Sequence, residues 1–430
     1  MPARLLALTF GVVIAASGLA ISQAKLEPRQ AASSTREQDW RDDLAFFARE
    51  FPARQIDFAK LYPREMFTRE LEAITQSIPT RSDAEIVLGL MRLVASAHVG
   101  HTRIQWPTDG PLAFHGLPLG LQWYDDGLAV TAATEPYRDA LGLRVVSFGS
   151  MTPDEIQSAI APYLSYEHDG WLRHQSQSLM LMEEMLRALS LVDSDGRVAI
   201  TLAKPDGSRL TVRVAPMPLQ DRPPLVTAIA AFGIPLGPAR IQPARYYRYE
   251  ILPGTKTLFI RYNVCADDPK QPFAEFVRDM FAAVDSNPAD VDRVIIDLRK
   301  NGGGNSSVIG PLLQGLRARK ALSSRGRLYT LVGPATFSSG LLAAVSLRAD
   351  LKSIIIGETP GEMLNSYGEV RPLTLPHSRL QLVYSTRFFT LTKNAAGTFD
   401  PDVVVRTTIA DWLAGRDPVL DAATIHKRLK

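Results

Sequence analysis

Residues 293–305 read RVIIDLRKNGGGN, and residues 333–340 read GPATFSSG. The run at 294–296 is apolar and β-branched, a pattern typical of a short strand buried on both faces. Three glycines at 302–304 follow the end of that run. Because glycine has no Cβ, such a loop can adopt positive φ and bring main-chain N–H groups close to a ligand or an oxyanion. The alternative interpretation is an ordinary turn.

A second strand-like run, residues 328–332, breaks at Gly333 and leads to Ser338 and Ser339 before a helix predicted to begin near Leu341. A serine at this end of a helix, where N–H groups point outward, is well placed for nucleophilic attack. The same N–H groups can stabilise the negative charge that follows. A plain helix N-cap is the structural alternative for either serine.

Together the two segments are more specific than either alone. Asp-Leu-Arg-x-Asn-x-Gly-Gly at 297–304, followed by Thr-x-Ser at 336–338, resembles the serine peptidase family of C-terminal processing (tail-specific) proteases and tricorn core proteases. The resemblance extends through residues 354–359 to 401–403 and 415–418. It implies a crotonase-like (ClpP-like) β/α spiral protease domain.

The residues themselves predict a compatible α/β fold for the last part of the chain. Strand-like runs alternate there with helical segments, which favours a largely parallel sheet. These runs lie near Leu258, Val294, Leu328, Ile354 and Leu382.

The resemblance also implies the chemistry. It makes Ser338 the nucleophile, and it makes the backbone N–H groups of Ser339 and Gly303 the oxyanion donors. Tail-specific members use a serine–lysine pair, but the corresponding window, residues 361–365, reads GEMLN and contains no lysine. The tricorn-like branch instead carries a histidine in a Gly-His-Thr segment, which His101 matches; His98 is the fallback.

In the tricorn-like branch a serine and a glutamate orient the histidine. The aligned position, residues 395–397, reads AAG, so we expect substitutes and name Glu369 and Asn365. Without the resemblance, a histidine at a helix end more often binds the last carbonyl groups. His98 and His101 could also suggest zinc, but no third ligand is suitably spaced, so no metal and no cofactor are predicted.

The composition bounds the partners. The chain has 430 residues, enough for two or three domains, and a net charge of +3, too small to favour nucleic acid binding. Its single cysteine, Cys265, excludes an intramolecular disulfide and lies in a strand-like stretch, so a buried structural thiol is expected.

The amino terminus predicts export. Arg4 precedes an uncharged run at residues 5–20, and residues 22–24 offer small side chains for a signal peptidase. Residues 1–24 are therefore predicted to be a signal peptide, and the mature protein to be periplasmic or extracellular. An uncleaved anchor, which would keep the protein near a membrane, is the alternative.

We divide the rest of the chain into four predicted regions. Residues 25–108 form a helical region, in which Ser82 begins a capping box. Residues 110–216 form a β-rich unit with a helical insert at about 175–191 and a hairpin at 198–214. This unit is similar to a PDZ domain or else is a merely structural β module. Residues 217–250 form a proline-rich linker, and residues 251–430 form the catalytic domain.

Three functions fit these observations. The first is an exported serine endopeptidase that forms an acyl-enzyme at Ser338 and acts on peptides or unfolded proteins. The second is a non-catalytic ligand- or peptide-binding protein on the same scaffold, as in retinoid-binding relatives of the family. The third is a hydrolase of small esters or amides. The sequence leaves cleavage specificity and oligomeric state open.

Overall fold

The computed structural model describes residues 36–238, 246–394 and 397–426. The predicted signal peptide, residues 1–24, lies outside these ranges. Among the helices of the described ranges, none combines the length and the apolar character needed to span a membrane.

Fourteen α-helices occur in the described residues: α1 (Arg36–Arg54), α2 (Phe58–Leu61), α3 (Arg64–Ser77), α4 (Asp83–Ala95), α5 (Pro153–Ile160), α6 (Asp169–Leu179), α7 (Glu183–Ala188), α8 (Ala228–Phe232), α9 (Phe273–Ser286), α10 (Gly310–Ala318), α11 (Lys320–Ser323), α12 (Ser339–Leu351), α13 (Ile409–Leu413) and α14 (Pro418–Ile425).

The strands of the same ranges are β1 (Arg103–Gln105), β2 (His115–Gly116), β3 (Leu119–Tyr124), β4 (Gly127–Ala133), β5 (Arg144–Phe148), β6 (Val198–Ala203), β7 (Arg209–Val214), β8 (Met217–Pro218), β9 (Val226–Thr227), β10 (Tyr247–Leu252), β11 (Thr257–Tyr262), β12 (Arg293–Asp297), β13 (Leu328–Val332), β14 (Ile354–Gly357), β15 (Asn365–Thr374), β16 (Gln381–Thr390) and β17 (Val403–Val404).

The central sheet has the order β10-β11-β12-β13-β14-β17. Strands β11 to β14 and β17 run parallel, and β10 is an antiparallel edge strand. The α/β fold predicted from alternating strands and helices is therefore confirmed. Asp297 at the end of β12 pairs with Leu331 of β13, so the two loops that follow leave the same edge of the sheet. This edge carries the candidate site.

The expectation that the strand near Leu382 joins the parallel sheet is wrong. Leu382 lies in β16, which pairs antiparallel with β15 in a separate sheet of order β1-β16-β15. A parallel neighbour requires a crossover connection of a dozen or more residues, and only six residues separate β15 from β16. Strand β1, from the amino-terminal region, pairs with the other edge of β16.

The middle of the chain forms an antiparallel sheet, β3-β4-β5-β6-β7, with β9 added to β4. The predicted hairpin is confirmed as β6 and β7. The capping box at Ser82 is also confirmed: its side chain accepts the Glu85 N–H, and the Glu85 side chain accepts the Ser82 N–H. Helix α6 begins earlier than the predicted insert, because the His168 side chain caps it.

The largest hydrophobic core does not follow the order of the chain. It joins the amino-terminal helices, the middle sheet, hairpin β15–β16 and helix α13; its members include Phe47, Val94, Val130, Leu382 and Trp412. Two smaller cores cover the two faces of the parallel sheet. The four predicted regions remain a prediction, because these cores describe packing and not independent folding.

Candidate active site

The loop after β12 is held by buried polar contacts. Asn301, fully buried, donates through Nδ2 to the Tyr262 carbonyl at 2.9 Å, and its Oδ1 accepts the Gly303 N–H at 3.0 Å. Its own carbonyl accepts the Phe337 N–H at 3.0 Å. Asn301 therefore fixes the glycine loop to β11 on one side and to the turn before α12 on the other.

Two of the glycines are required by close approach. Gly303 has φ +111°, and a Cβ there would lie 2.6 Å from the Ser338 Cβ. Gly304 has φ +131°, and a Cβ there would lie 2.3 Å from the Cys265 carbonyl oxygen. Both contacts are closer than a real Cβ tolerates, so a side chain at Gly303 would displace the loop from Ser338, and one at Gly304 would displace it from Cys265.

Ser338 lies at the junction between β13 and α12 in a conformation that few non-glycine residues adopt. Its φ is +54° and its ψ is −129°, and it is the N-cap of α12 without capping through its side chain. Such a conformation costs about 1–3 kcal/mol and persists only where its surroundings enforce it. The side chain remains partly exposed, and within the described chain no hydrogen bond reaches its Oγ.

A buried glutamate supports this turn. Glu362, 5% exposed, accepts the Ser338 N–H through Oε2 and the Ser366 hydroxyl through Oε1 at 2.6 Å. Burial raises the pKa of Glu362 to about 7, although both hydrogen bonds oppose the rise. The carboxylate therefore lies beside the main chain of the candidate nucleophile, in a site poorly reached by water.

The same carboxylate approaches His101. Its Oε1 lies 3.6 Å from His101 Nδ1, just outside hydrogen-bond range. His101 is 6% exposed, its ring centroid lies 4.5 Å from that of Phe337, and neither ring nitrogen has a hydrogen-bond partner among the described residues. Burial, with a further contribution from the charge of Arg103, lowers the pKa of His101 to about 3. The imidazole is therefore neutral at physiological pH, the form that accepts a proton.

A second buried carboxyl lies between the histidine segment and the glutamate segment. Glu167 accepts the Gly100 N–H through Oε1 at 3.2 Å, and its Oε2 is buried without a partner in the described chain. Burial, aided by the charge of Glu362, raises the pKa of Glu167 to about 8. Nearby, Trp171 stacks on Phe337 with 3.9 Å between ring centroids. Glu167, just before α6, and Trp171, within α6, thus line one side of the site.

The two predicted oxyanion donors differ. Ser339 is the first residue of α12, and in the described chain its N–H has no hydrogen-bond acceptor; its hydroxyl is fixed by the Gly304 carbonyl at 2.7 Å. The Gly303 N–H, in contrast, is already donated to Asn301 Oδ1. In this conformation Gly303 therefore does not offer the free donor that the prediction requires, because the asparagine that shapes the loop consumes it.

The two predicted orienting residues are not brought to His101. Glu369 is exposed and pairs with Arg387 at 3.7 Å. Asn365, at the start of β15, bonds the main chain that follows β16, accepting the Leu391 N–H at 2.9 Å and donating to the Thr392 carbonyl at 2.9 Å. Both predictions are corrected: Glu369 is exposed and pairs with an arginine of the neighbouring strand, and Asn365 joins the start of β15 to the chain that follows β16.

Glu362 is the residue that sequence reasoning missed. It lies within the window 361–365, where the serine–lysine members carry their lysine. An acidic residue at the expected place of the base was the available signal.

The fallback His98 is exposed, with φ +51°, and its ring contacts Tyr166. It is not drawn into the site. Nor do His98 and His101 belong to a possible metal-ligand group; in the described residues that group is His115, Glu183 and Glu184. Cys265 is 1% exposed, and burial raises the pKa of its thiol to about 11, as expected of a structural cysteine.

No protein-family model and no curated protein sequence matches this chain. Similarity appears among solved structures. Mature CPAF complexed with lactacystin has a TM-score of 0.60 at 12% identity, over 90% of this chain and 98% of that one. Mature CPAF alone has a TM-score of 0.58 at 12% identity, over 90% and 97%. The photosystem II D1 C-terminal processing protease has a TM-score of 0.40 at 13% identity, over 91% and 99%.

These neighbours are peptidases. The likeness to CPAF extends over nearly the whole of both chains, so it concerns the arrangement of all the elements and not one shared motif. The chain has the fold of mature CPAF, and the resemblance to the C-terminal processing protease family that the sequence predicts is confirmed.

Proposed function

We propose that the protein is a serine-type endopeptidase that hydrolyses peptide bonds of peptides or unfolded proteins through an acyl-enzyme at Ser338. One observation carries this proposal: Glu362 accepts the Ser338 N–H with one oxygen, and its other oxygen lies 3.6 Å from His101 Nδ1. A nucleophile candidate, an imidazole and a carboxylate are thereby gathered from distant parts of the chain, as serine hydrolysis needs.

In the proposed mechanism His101 removes the proton of the Ser338 hydroxyl as the oxygen attacks the scissile carbonyl. Glu362, at the Nδ1 side, stabilises the imidazolium that forms and leaves Nε2 for the serine. The imidazolium then gives its proton to the leaving amine. A water molecule, activated by the same histidine, releases the acyl group from Ser338.

The oxyanion of the tetrahedral intermediate would be bound by the Ser339 N–H at the amino terminus of α12. The helix dipole favours negative charge there. Gly303 could serve as the second donor only after its N–H leaves Asn301 Oδ1. Substrate binding would therefore include a small rotation of the peptide at the glycine loop.

A fluorophosphonate probe tests the assignment before any substrate is known. The wild-type protein should be labelled, Ser338→Ala should not, and Ser339→Ala should keep its label. His101→Ala should react about 10²- to 10⁴-fold more slowly, as expected for the loss of a general base. A folded wild-type protein that resists the probe, and cleaves no member of a peptide library, would overturn the proposal.

We propose that the protein is exported, and that residues 1–24 direct this export. The support is the uncharged run at 5–20 between Arg4 and the small residues at 22–24. Fractionation of expressing cells, with amino-terminal sequencing of the mature protein, tests it. A protein that retains residue 1 and stays in the cytoplasm would contradict it.

We also propose that residues 251–430 form a crotonase-like β/α spiral and that the middle antiparallel sheet is a PDZ-like unit. The supports are the parallel β11–β14 order for the first and the β3–β7 sheet with α5 for the second. A crystal structure compared strand by strand with both folds tests this assignment.

A further inference from the structure

Arg103 lies two residues after His101, at the start of β1. Side chains along a strand point to alternate faces, and Ile104, 4% exposed, faces the main hydrophobic core. Arg103 therefore projects from the opposite face. Its cross-strand partner is Val383 of β16, and it does not face the core that Ile104 enters.

The guanidinium of Arg103 has no hydrogen bond and no ion pair with any residue of the described ranges, although its side chain is only partly exposed. Burial lowers its pKa, and no acidic group offsets that effect. Arginine nevertheless remains charged at physiological pH. Arg299, in contrast, binds the two carboxylates of Asp297 and Asp417. A half-buried cation without a counter-ion is costly unless a ligand supplies one.

Arg103 is also close to the proposed chemistry. Its charge helps to lower the pKa of His101, after the larger effect of burial. The Cα atoms of the two residues can be at most about 7 Å apart, the span of two extended residues. Because Arg103 is this near to His101 along the chain and its charge acts on the imidazole, a group bound by Arg103 would lie on the same side of the site as the proposed base.

We propose that Arg103 binds a carboxylate of the substrate beside the scissile bond, so that the enzyme prefers peptides with a negative charge there. This inference rests on the proposed peptidase function. A guanidinium presents parallel N–H donors that match the two oxygens of a carboxylate, which makes this ligand more suitable than a neutral one. The bound carboxylate would also neutralise the charge of Arg103, which opposes protonation of His101. A substrate with this carboxylate would therefore make His101 a stronger base.

Two kinds of substrate supply such a carboxylate: the free carboxyl terminus of a peptide, and an internal Asp or Glu side chain. Matched peptides separate them. One pair differs only in a free or amidated carboxyl terminus, and the other only in Glu or Gln near the cleaved bond. Wild-type kcat/KM should favour the charged member of at least one pair by about tenfold or more, the usual worth of a charge-assisted hydrogen bond. The pair that shows the preference identifies the source.

In Arg103→Gln, the kcat/KM values of the charged and the neutral peptide should become nearly equal, while the probe still labels Ser338. Arg103→Lys should keep part of the preference for the charged peptide. Arg371→Gln is the matched control: Arg371 is an exposed arginine on β15 of the same sheet and has no ion pair in the described chain. It should keep the full wild-type preference. A wild-type enzyme that cleaves both members of both pairs equally would overturn the role of Arg103 and leave the peptidase function intact.

Binding to Ser338→Ala makes the test independent of turnover. Fluorescence anisotropy should show tighter binding of the charged peptide to Ser338→Ala than to Ser338→Ala combined with Arg103→Gln. If Arg103→Gln does not fold, Arg103→Lys in the same background replaces it and should weaken binding of the charged peptide alone. Equal binding of charged and neutral peptides by Ser338→Ala would contradict the inference, whatever the outcome with the probe.

Discussion

Glu362 links the two groups that the proposed chemistry needs. Its position is fixed by the Ser366 hydroxyl and the Ser338 N–H, both of which are part of the local structure and independent of substrate. Because the site is buried, the charge of this carboxylate acts on His101 with little screening. The ionisation of Glu362 should therefore set the lower pH limit of activity.

We predict that Glu362→Gln lowers kcat by about 100-fold or more, because the imidazolium loses the charge that stabilises it. In the wild type, kcat should rise as the pH increases through about 7, where Glu362 loses its proton, and the variant should lack this rise. His101, whose pKa is lowered to about 3, is already neutral throughout this range and therefore does not cause the rise in kcat. A pH series of initial rates measures it.

Glu167→Gln is the control for that profile, since glutamine can still accept the Gly100 N–H. It should retain the rise near pH 7. A wild-type profile that is flat between pH 6 and 8 would show that Glu362 does not control activity. A rise in kcat that is lost in Glu167→Gln and kept in Glu362→Gln would show that Glu167 is the titrating group.

The glycine loop allows a matched pair of substitutions. Gly303→Ala should abolish labelling of Ser338 and lower the free energy of unfolding by about 1–3 kcal/mol, because its positive φ and its contact with the Ser338 Cβ both resist a side chain. Gly302→Ala should behave like the wild type, since a Cβ there meets no atom within 4 Å. Probe kinetics and chemical denaturation measure both effects. Equal behaviour of the two variants would refute the close-approach argument.

At the scale of elements, strand β1 carries His101 to the site by pairing with β16. The segment is fixed by Thr102, which is fully buried; its hydroxyl donates to Gln55 Oε1 at 2.9 Å and lies 3.0 Å from the Ser385 hydroxyl. These contacts join the residue after α1, the residue before β1, and β16. The histidine therefore depends on the strand order of a sheet that is distinct from the one bearing Ser338.

Thr102→Val should lower the free energy of unfolding by about 1–3 kcal/mol, since it leaves the buried Ser385 hydroxyl without its partner and Gln55 Oε1 with only the Ser385 N–H. It should also slow labelling of Ser338, because His101 is the next residue along the chain. Thr102→Ser, which retains the hydroxyl, should restore most of both properties. Normal stability and normal labelling of Thr102→Val would show that the network does not position the histidine.

Elements with a local signal were predictable from the sequence. The run at 294–296, the capping box at Ser82 and the 198–214 hairpin each carry their pattern within a few residues, and each forms as expected. The placement of β16 was not predictable in this way, because the apolar run around Leu382 reads alike in a parallel sheet and in a hairpin.

The candidate site divides in the same manner. Ser338 and the glycine loop follow from motifs, and the choice of His101 follows from the family resemblance. Glu369 and Asn365 were chosen by their position on one loop, yet Glu369 lies at an irregularity of β15 and pairs with Arg387, and Asn365 bonds the chain that follows β16. Glu362 could have been found only by asking which residue replaces the missing lysine.

At the scale of the whole molecule, the largest core unites the amino-terminal helices with the β15–β16 hairpin and α13. The segment 251–430 expressed alone should therefore not fold to a compact native state, because the core faces of that hairpin and that helix would be exposed to water. Circular dichroism, thermal unfolding and dye binding to exposed apolar surface measure this. Cooperative unfolding of the isolated segment, together with labelling of Ser338, would contradict it.

The pairing of β1 with β16 also has a consequence for synthesis. Thr102 and Ser385 are separated by 283 positions along the chain, so the histidine cannot be seated while the ribosome is still making the intervening polypeptide. A nascent chain long enough to expose the serine still lacks the strand that holds the imidazole in place. For the peptidase proposed above, the order of translation would thus keep the serine without its base until β16 has been made.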